Sequence, residues 1–443
     1  MRTIALHTLG CKLNYAETAT IGRQFQRAGY EIVPLEHGAD VVVLNTCSVT
    51  ERADRECRQI VRRALRTAPH AFVAVVGCYA QLKPREIASI EGVDLVGGTA
   101  DKFELLSHVG DGAKNPRPVV LAGDASTLTT AITASSAGSE RTRAFLKVQD
   151  GCDYSCSFCT IPEARGKSRS VPGHRVVEEA RALVGEGYRE IVLTGVNTGD
   201  YGSRIGRTLL DLLRSLLAVQ GLERLRISSI EPNLLSDELL SFWFGEARLC
   251  KHWHMPLQSG SDAVLGRMRR RYRTEWYSER VRRIVAALPE AAIGADVIVG
   301  FPGETDVEFE ETEKFLKELP LAYLHVFTYS ERPGTAAETM PDHVPMPVRA
   351  ERSERLRLLS QRKRFLFHNQ FVGRVVKVLV EGQAERGTIG GLTDEYVRVK
   401  WPAEQGTPEG MVPVTIVSAN HDSCLGRPVT QTEGLQRSAS HVA

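Results

Sequence analysis

Residues 149–161 read QDGCDYSCSFCTI. The thiols of Cys152, Cys156 and Cys159 follow a C-x3-C-x2-C spacing, tight enough to converge on one metal yet supplying only three ligands. A structural zinc site takes four ligands and is usually built from C-x2-C pairs with a further Cys or His, so the spacing argues against a zinc knuckle. Three thiolates on a four-iron, four-sulfur cube leave one iron open to an outside ligand. That is the arrangement of a cluster that does chemistry on a bound molecule.

Around this loop the chain alternates strand-like and helix-like segments. Strands are expected at 144–148, 190–194, 224–228, 252–257, 295–299 and 324–329, each followed by a helical or loop segment. Six such units predict a partial (β/α)6 TIM-like barrel, open on one side. The unusual residues all fall just after a strand: the cysteine loop after the first, then TGVNTGDYG, SSIEPN, PLQSGSD, GFPGET and SERPGTA. Catalytic groups of such barrels gather at that rim, so one face receives every motif. Glycines 195, 260 and 303 allow tight turns or close approach to a ligand, and equally serve as ordinary loop glycines.

At 443 residues the chain is too long for one ordinary core and predicts two or three domains. Its 56 basic and 54 acidic residues leave a net charge of +2, so no global field draws it onto nucleic acid and any basic contact is local. MRTIALHTLG enters a strand pattern without the charged flank and apolar run of an export signal, and no stretch is long enough to span a bilayer. A soluble cytoplasmic protein with no membrane partner is expected. Nine cysteines, an odd number, then read as metal ligands or buried thiols rather than disulfides.

The first hundred residues form a parallel α/β unit, with strands expected at 3–9, 41–44 and 72–76 and helices at 14–28 and 51–66. Cys11, Cys47 and Cys78 each stand where one of those strands ends. Carboxyl ends of parallel strands line a common crevice, so these thiols converge there as a second three-thiolate site, or they are small buried residues closing strands. Cys57, Cys250 and Cys424 are expected to pack. The helix at 51–66 carries Arg52, Arg55, Arg58, Arg62, Arg63 and Arg66, a solvated face or a phosphate stripe. Two further basic clusters, ARGKSRSVPGHR after the cysteine loop and RMRRRYR at 267–273, are open to the same two readings.

Ser, Thr, Ala and Gly dominate 109–143, which is linker composition with room for a short strand at 118–121. The expected division is an α/β domain at 1–108, the linker, a barrel at 144–370 including a charged helix at 348–369, a small OB-like β-barrel at 371–434, and a tail at 435–443.

The loop with Phe158 before its third cysteine resembles the radical S-adenosylmethionine (SAM) superfamily. TLGCKLNYAET, NTCSVT and VGCYAQ resemble the amino-terminal domain of the methylthiotransferase family, and the last strands resemble the RNA-binding TRAM domain that ends those proteins. The resemblance implies two [4Fe-4S] clusters, one on Cys152, Cys156 and Cys159 and one on Cys11, Cys47 and Cys78. It implies SAM near Thr194, Gly195, Asn197, Glu231, Gln258, Ser259 and Asp296; for Asp296 and Glu231 a structural role stays open. The first cluster would reduce SAM to a 5'-deoxyadenosyl radical, and the second would present sulfur. TLGCKLNYAET and GVNTGDYG stand closest to the branch that adds a methylthio group to C2 of N6-threonylcarbamoyladenosine at position 37 of tRNA, next to the anticodon. Other branches act on isopentenyladenosine of tRNA or on an aspartate of a ribosomal protein. The partners so implied are the tRNA anticodon loop and a flavodoxin- or ferredoxin-like reductant. Two other classes remain, a radical SAM methylase with structural amino-terminal thiols and a non-enzymatic iron-sulfur RNA-binding scaffold.

Overall fold

Unbroken apolar runs such as VVVLNT and FVAVVG cannot present a wet face, and they form strands buried on both sides. The computed structural model describes residues 1–47, 51–110, 112–137, 142–385, 387–405 and 408–429, without the side chains of 51–54 and 382–385. Its first sheet consists of β1 (Thr3–Thr8), β2 (Glu31–Ile32), β3 (Val41–Thr46), β4 (Phe72–Gly77), β5 (Leu95–Gly97) and β6 (Val119–Leu121). All six are parallel, in the order β2-β1-β3-β4-β5-β6. Helices cover both faces: Lys12–Arg27 packs Ile21 and Phe25 against Ile4 and Val43, and Glu51–Thr67 packs Ile60 and Val61 against Val42 and Val73. The strand order reverses between β1 and β3, and ligand crevices of open α/β sheets form at that kind of switch point.

The stretch at 109–143 is not a free connector. Its residues Val119–Leu121 are the sixth strand of this sheet, and β7 (Ala134–Ser135) pairs antiparallel with β8 (Arg143–Lys147) of the next unit. The short strand expected at 118–121 is thus present, whereas polar composition concealed the two-residue edge strand β7. The tail at 435–443 lies outside the described residues.

After β8 come β9 (Gln149–Asp150), β10 (Arg169–Ser170), β11 (Glu190–Thr194), β12 (Arg224–Ile227), β13 (His252–His254), β14 (Ala292–Val299) and β15 (Tyr323–Thr328). Strands β8, β11 and β12 are consecutive and parallel, as are β13, β14 and β15. A bridge between Leu225 and Leu249, with Cys250 N–H donating to Leu225 O at 3.0 Å, joins the two halves into the expected six-stranded partial barrel. β13 is shorter than the strand expected at 252–257, because the chain turns out of the sheet at Pro256 and Gln258 takes a φ of 70°. On β15, Leu324 faces the helical layer, whereas His325 and Phe327 face the barrel interior, where Phe327 remains 41% exposed.

The last strands, β16 (Val375–Glu385), β17 (Thr388–Leu392), β18 (Arg398–Pro402), β19 (Met411–Ala419) and β20 (Cys424–Pro428), close into a barrel in the order β16-β17-β18-β20-β19. Their pairs are antiparallel except β18 with β20, and Val378, Val399, Trp401 and Val414 fill the core. The β17–β18 turn plugs the base of the large barrel. Arg226 donates to Thr393 O and Asp394 O at 3.0 and 2.9 Å, and Tyr396, at a φ of 65°, stacks on His252 with centroids 4.5 Å apart. The terminal barrel is therefore fixed at the amino ends of the strands, opposite the rim that carries the motifs.

Candidate active site

The cysteine loop leaves β9 through Gly151, whose φ is 69° and where a Cβ would lie 2.1 Å from Lys167 O. Only glycine fits that turn. Cys152 N–H donates to Gly166 O at 3.1 Å and Ser157 Oγ–H to Arg267 O at 2.8 Å, so the loop is held at its start and in the middle, while Cys159 N–H closes a turn onto Cys156 O at 3.1 Å. All three thiols are free and half-buried. Burial pushes Cys152 up to about 11 and Cys159 up to about 12, each raised further by its neighbouring thiols. Metal loading therefore displaces protons from neutral thiols. Phe158 packs edge-on to Phe301, behind the loop.

Arg270 holds the middle thiol. One Nη donates to Cys156 Sγ at 3.0 Å and the other to Glu231. Burial raises the Glu231 carboxyl while Arg270 opposes the rise. Nearby, the buried Thr194 and Thr198 hydroxyls and both amide atoms of Asn197 have no hydrogen-bond partner among the described residues. Three soft thiols, no fourth Cys or His within 149–161, and unpartnered buried polar groups beside them fit a four-iron cluster whose open iron holds a small polar molecule.

The remaining expected contacts divide. Gly195 lies against Gln149, where an added Cβ would come within 3.1 Å of that side chain. Gln258 sits in a left-handed conformation that its N–H to Asp296 O, 2.7 Å, and the Ile298 N–H to its own carbonyl, 2.9 Å, hold in place. Such strain is concentrated at functional sites. Ser259 turns away: its hydroxyl meets Thr312 Oγ1 at 3.1 Å, so the side chain is spent on helix packing, as is the space at Gly260. Asp296 faces the interior and accepts from His254 Nε2 at 2.8 Å and His325 Nδ1 at 3.1 Å. Burial opposes its ionisation, yet the two imidazoles hold its carboxyl well below the usual range. Nothing in the spacing of His254 and His325 foretold that trio.

Cys11, Cys47 and Cys78 follow β1, β3 and β4, three adjacent strands. Gly10 and Gly77 precede two of them with φ of 102° and 100°. A Cβ on Gly10 would lie 2.9 Å from Cys47 Sγ, so the first turn rests on the second cysteine. Cys11 caps the helix Lys12–Arg27, its Sγ 3.9 Å from Asn14 Oδ1. Cys78 opens the helix Cys78–Leu82 and accepts from Arg165 Nε at 3.2 Å. The triad sits at the switch-point crevice and fits a second soft-metal cluster. Cys57 and Cys424 are buried in apolar cores, the packing role expected of them, and Cys250 is buried beside the Arg226–Glu190 ion pair.

The basic clusters resolve differently. In ARGKSRSVPGHR, Arg165 and Arg169 are buried beside Asp150, so they are no phosphate patch; Lys167, His174 and Arg175 stay exposed. In RMRRRYR, Arg267 pairs with Glu308, Arg271 lies 3.9 Å over the Tyr154 ring and donates to Asp153 O, and Arg269 and Arg273 are exposed beside the loop. On the helix Glu51–Thr67, Arg58 pairs with Glu86 and Arg63 with Glu36, the behaviour of a solvated face; Arg52 has no described side chain. Among the described residues, no helix is long and apolar enough to cross a membrane.

Residues 3–98 match the Uncharacterized protein family UPF0004 and residues 146–316 the Radical SAM superfamily. The chain is 41% identical, over 98% of each sequence, to "Threonylcarbamoyladenosine tRNA methylthiotransferase MtaB" of Bacillus subtilis (strain 168). It is 39% identical to the protein of that name from Aquifex aeolicus (strain VF5), over 90% of this chain and 96% of the relative. A "tRNA-2-methylthio-N(6)-dimethylallyladenosine synthase" of Syntrophotalea carbinolica is 35% identical over 97% and 100%. Among solved structures, the radical S-adenosylmethionine methyltransferase TsrM of Kitasatospora setae superposes with a TM-score of 0.55 at 16% identity, over 80% of this chain and 84% of that one, a likeness of fold alone. With both matched domains in order, a thiol triad in each, and relatives aligned almost end to end, the chain belongs to the MtaB-type family of radical SAM tRNA methylthiotransferases.

Proposed function

We propose that this enzyme adds a methylthio group to C2 of N6-threonylcarbamoyladenosine next to the anticodon of tRNA, drawing electrons from a flavodoxin- or ferredoxin-like reductant. One observation carries the reading: two thiol triads, on separate domains, lie at either end of the short helix Ile161–Arg165, whose last residue donates to Cys78 Sγ. A carbon-bound hydrogen on an adenine ring is neither acidic nor electrophilic, so acid-base groups alone do not remove it. Clusters and SAM, when bound, supply the electron, the radical and the methylated sulfur that the substitution requires.

The residues provide the rest. Cys152, Cys156 and Cys159 would hold one cluster, and Cys11, Cys47 and Cys78 would hold the other. Thr194, Asn197 and Thr198 offer unpartnered polar atoms to SAM, and Arg270 pairs with Glu231 beside Cys156. The unstacked base enters at the open side of the barrel, where Phe327 provides an aromatic face and the histidines on Asp296 provide polar contacts. Exposed Lys167, Arg269, Arg271 and Arg273 near the loop meet phosphates.

Nucleoside mass spectrometry of tRNA from a strain lacking the gene tests the substrate. The methylthio form of threonylcarbamoyladenosine is expected to disappear while that of isopentenyladenosine persists; the reverse result would move the enzyme to the other tRNA branch.

A further inference from the structure

The helix Ile161–Arg165 begins two residues after Cys159 and rises about 7.5 Å. Its last side chain, Arg165, leaves the barrel and enters the amino-terminal domain. There Nε donates to Cys78 Sγ at 3.2 Å and Nη2 to Asn14 Oδ1 at 2.6 Å. Asn14 in turn donates through Nδ2 to Leu9 O at 2.9 Å and Thr46 O at 3.0 Å, the carbonyls that lead into the Cys11 and Cys47 turns. One guanidinium thus touches Cys78 directly and, through one amide, braces the other two cysteine turns.

On its other edge, Nη1 donates to Glu17 Oε1 at 3.1 Å and Asp150 Oδ1 at 3.0 Å. Lys147 and Lys102 also contact Glu17, at 2.8 and 2.7 Å, and every member of this knot is at most 2% exposed. Charges buried so deeply need excellent pairing to persist. The two carboxylates already satisfy the cation, yet its Nε hydrogen points at sulfur. A charge-assisted N–H···S contact matches an anionic sulfur, as in a metal thiolate, far better than a neutral thiol.

We propose that Arg165 is the positioning residue that couples the two sites: it holds the amino-terminal thiols in register with the radical loop and, through its hydrogen bond to Cys78, raises the reduction potential of the cluster those thiols carry. A fixed cation and an N–H donor at a ligand sulfur both favour the more negative, reduced cluster. Guanidinium keeps its charge at every working pH, so the effect is constant rather than switched. This inference rests on the two-cluster reading above.

The test compares wild type, Arg165→Gln and Arg165→Lys, reconstituted anaerobically as full chains. Iron is counted, and each cluster is titrated by electron paramagnetic resonance, with Cys156→Ala added to isolate the amino-terminal cluster. In Arg165→Gln that cluster is expected to shift to lower potential, with the radical-loop cluster unchanged and methylthiolated product per 5'-deoxyadenosine falling about tenfold or more. Arg165→Lys retains the charge opposite Glu17 and Asp150. It serves where the Gln variant does not load iron, and is expected to load with a lowered amino-terminal potential because the aimed N–H is lost. Iron-loaded variants with wild-type potentials and wild-type product ratio overturn this inference alone. A wild-type chain holding about four irons, rather than about eight, overturns the two-cluster reading and this inference with it.

Discussion

The two thiol triads reach similar ends by opposite routes. Cys152, Cys156 and Cys159 lie within eight consecutive residues on one loop, tied at its start to Gly166 and at its centre to Arg267. Cys11, Cys47 and Cys78 come from the ends of three adjacent strands, and their spacing exists only once the sheet order is made. Both nevertheless use the same small devices. Gly10, Gly77 and Gly151, each at positive φ, stand immediately before Cys11, Cys78 and Cys152. One arginine donates to one sulfur in each triad, Arg270 to Cys156 and Arg165 to Cys78. The difference teaches that a local loop keeps its thiols together through its own turns, whereas an assembled site depends on sheet order and on how two domains are locked together.

The strongest way to break this comparison is to remove one thiol from each. Cys156→Ala is expected to abolish formation of 5'-deoxyadenosine and with it all product. Cys78→Ala is expected to keep forming 5'-deoxyadenosine and to give no methylthiolated tRNA, both read by chromatography of a single reaction. Product formation by Cys78→Ala would return the amino-terminal thiols to a structural role.

A smaller effect is expected from the turns. Gly151→Ala places a Cβ against Lys167 O in a backbone conformation that L residues rarely adopt, and costs roughly 3 kcal/mol or more. A lowered thermal midpoint of the iron-loaded chain and reduced iron at the loop check it; a wild-type midpoint would mean the loop relaxes freely.

The smallest effect sharpens the lock between domains. Burial lowers Lys102 to about 8, against the pull of Glu17. Its folded value lies below the unfolded one near ~10.4, so between the two the unfolded chain binds more protons and this group makes stability rise with pH. In Lys102→Met, Glu17 keeps Arg165 and Lys147, and that rising contribution is expected to vanish. Denaturation midpoints of the two proteins from about pH 7 to about pH 10 measure the difference; parallel profiles would place the Lys102 titration elsewhere.

Much of the architecture was legible in period and punctuation. Strand β11 falls on its expected residues, β3 and β4 within two residues, and the terminal barrel closes as its alternating strands predict. Strand β7 escaped because its two residues, Ala134 and Ser135, carry no apolar period within polar chain. The resemblance implied SAM near Ser259, but a loop position does not reveal which way a hydroxyl turns, and this one meets Thr312. Arg165 read as part of a basic run, either solvated or phosphate-binding, since charge in a sequence carries no sign of burial; Glu17 and Asp150, distant from it in sequence, supply the partners.

By itself the sequence determined that Cys152, Cys156 and Cys159 lie together, because residues spaced within one loop stay close whatever the surrounding fold. It determined the order of the three domains through hydrophobic period and turn residues. Only the tertiary structure decided that Cys11, Cys47 and Cys78 share one crevice, that Arg165 joins them to the loop, and that Tyr396 seals the barrel at its base. Those contacts join residues distant along the chain, and their geometry is fixed by sheet order and domain docking, which local spacing does not encode.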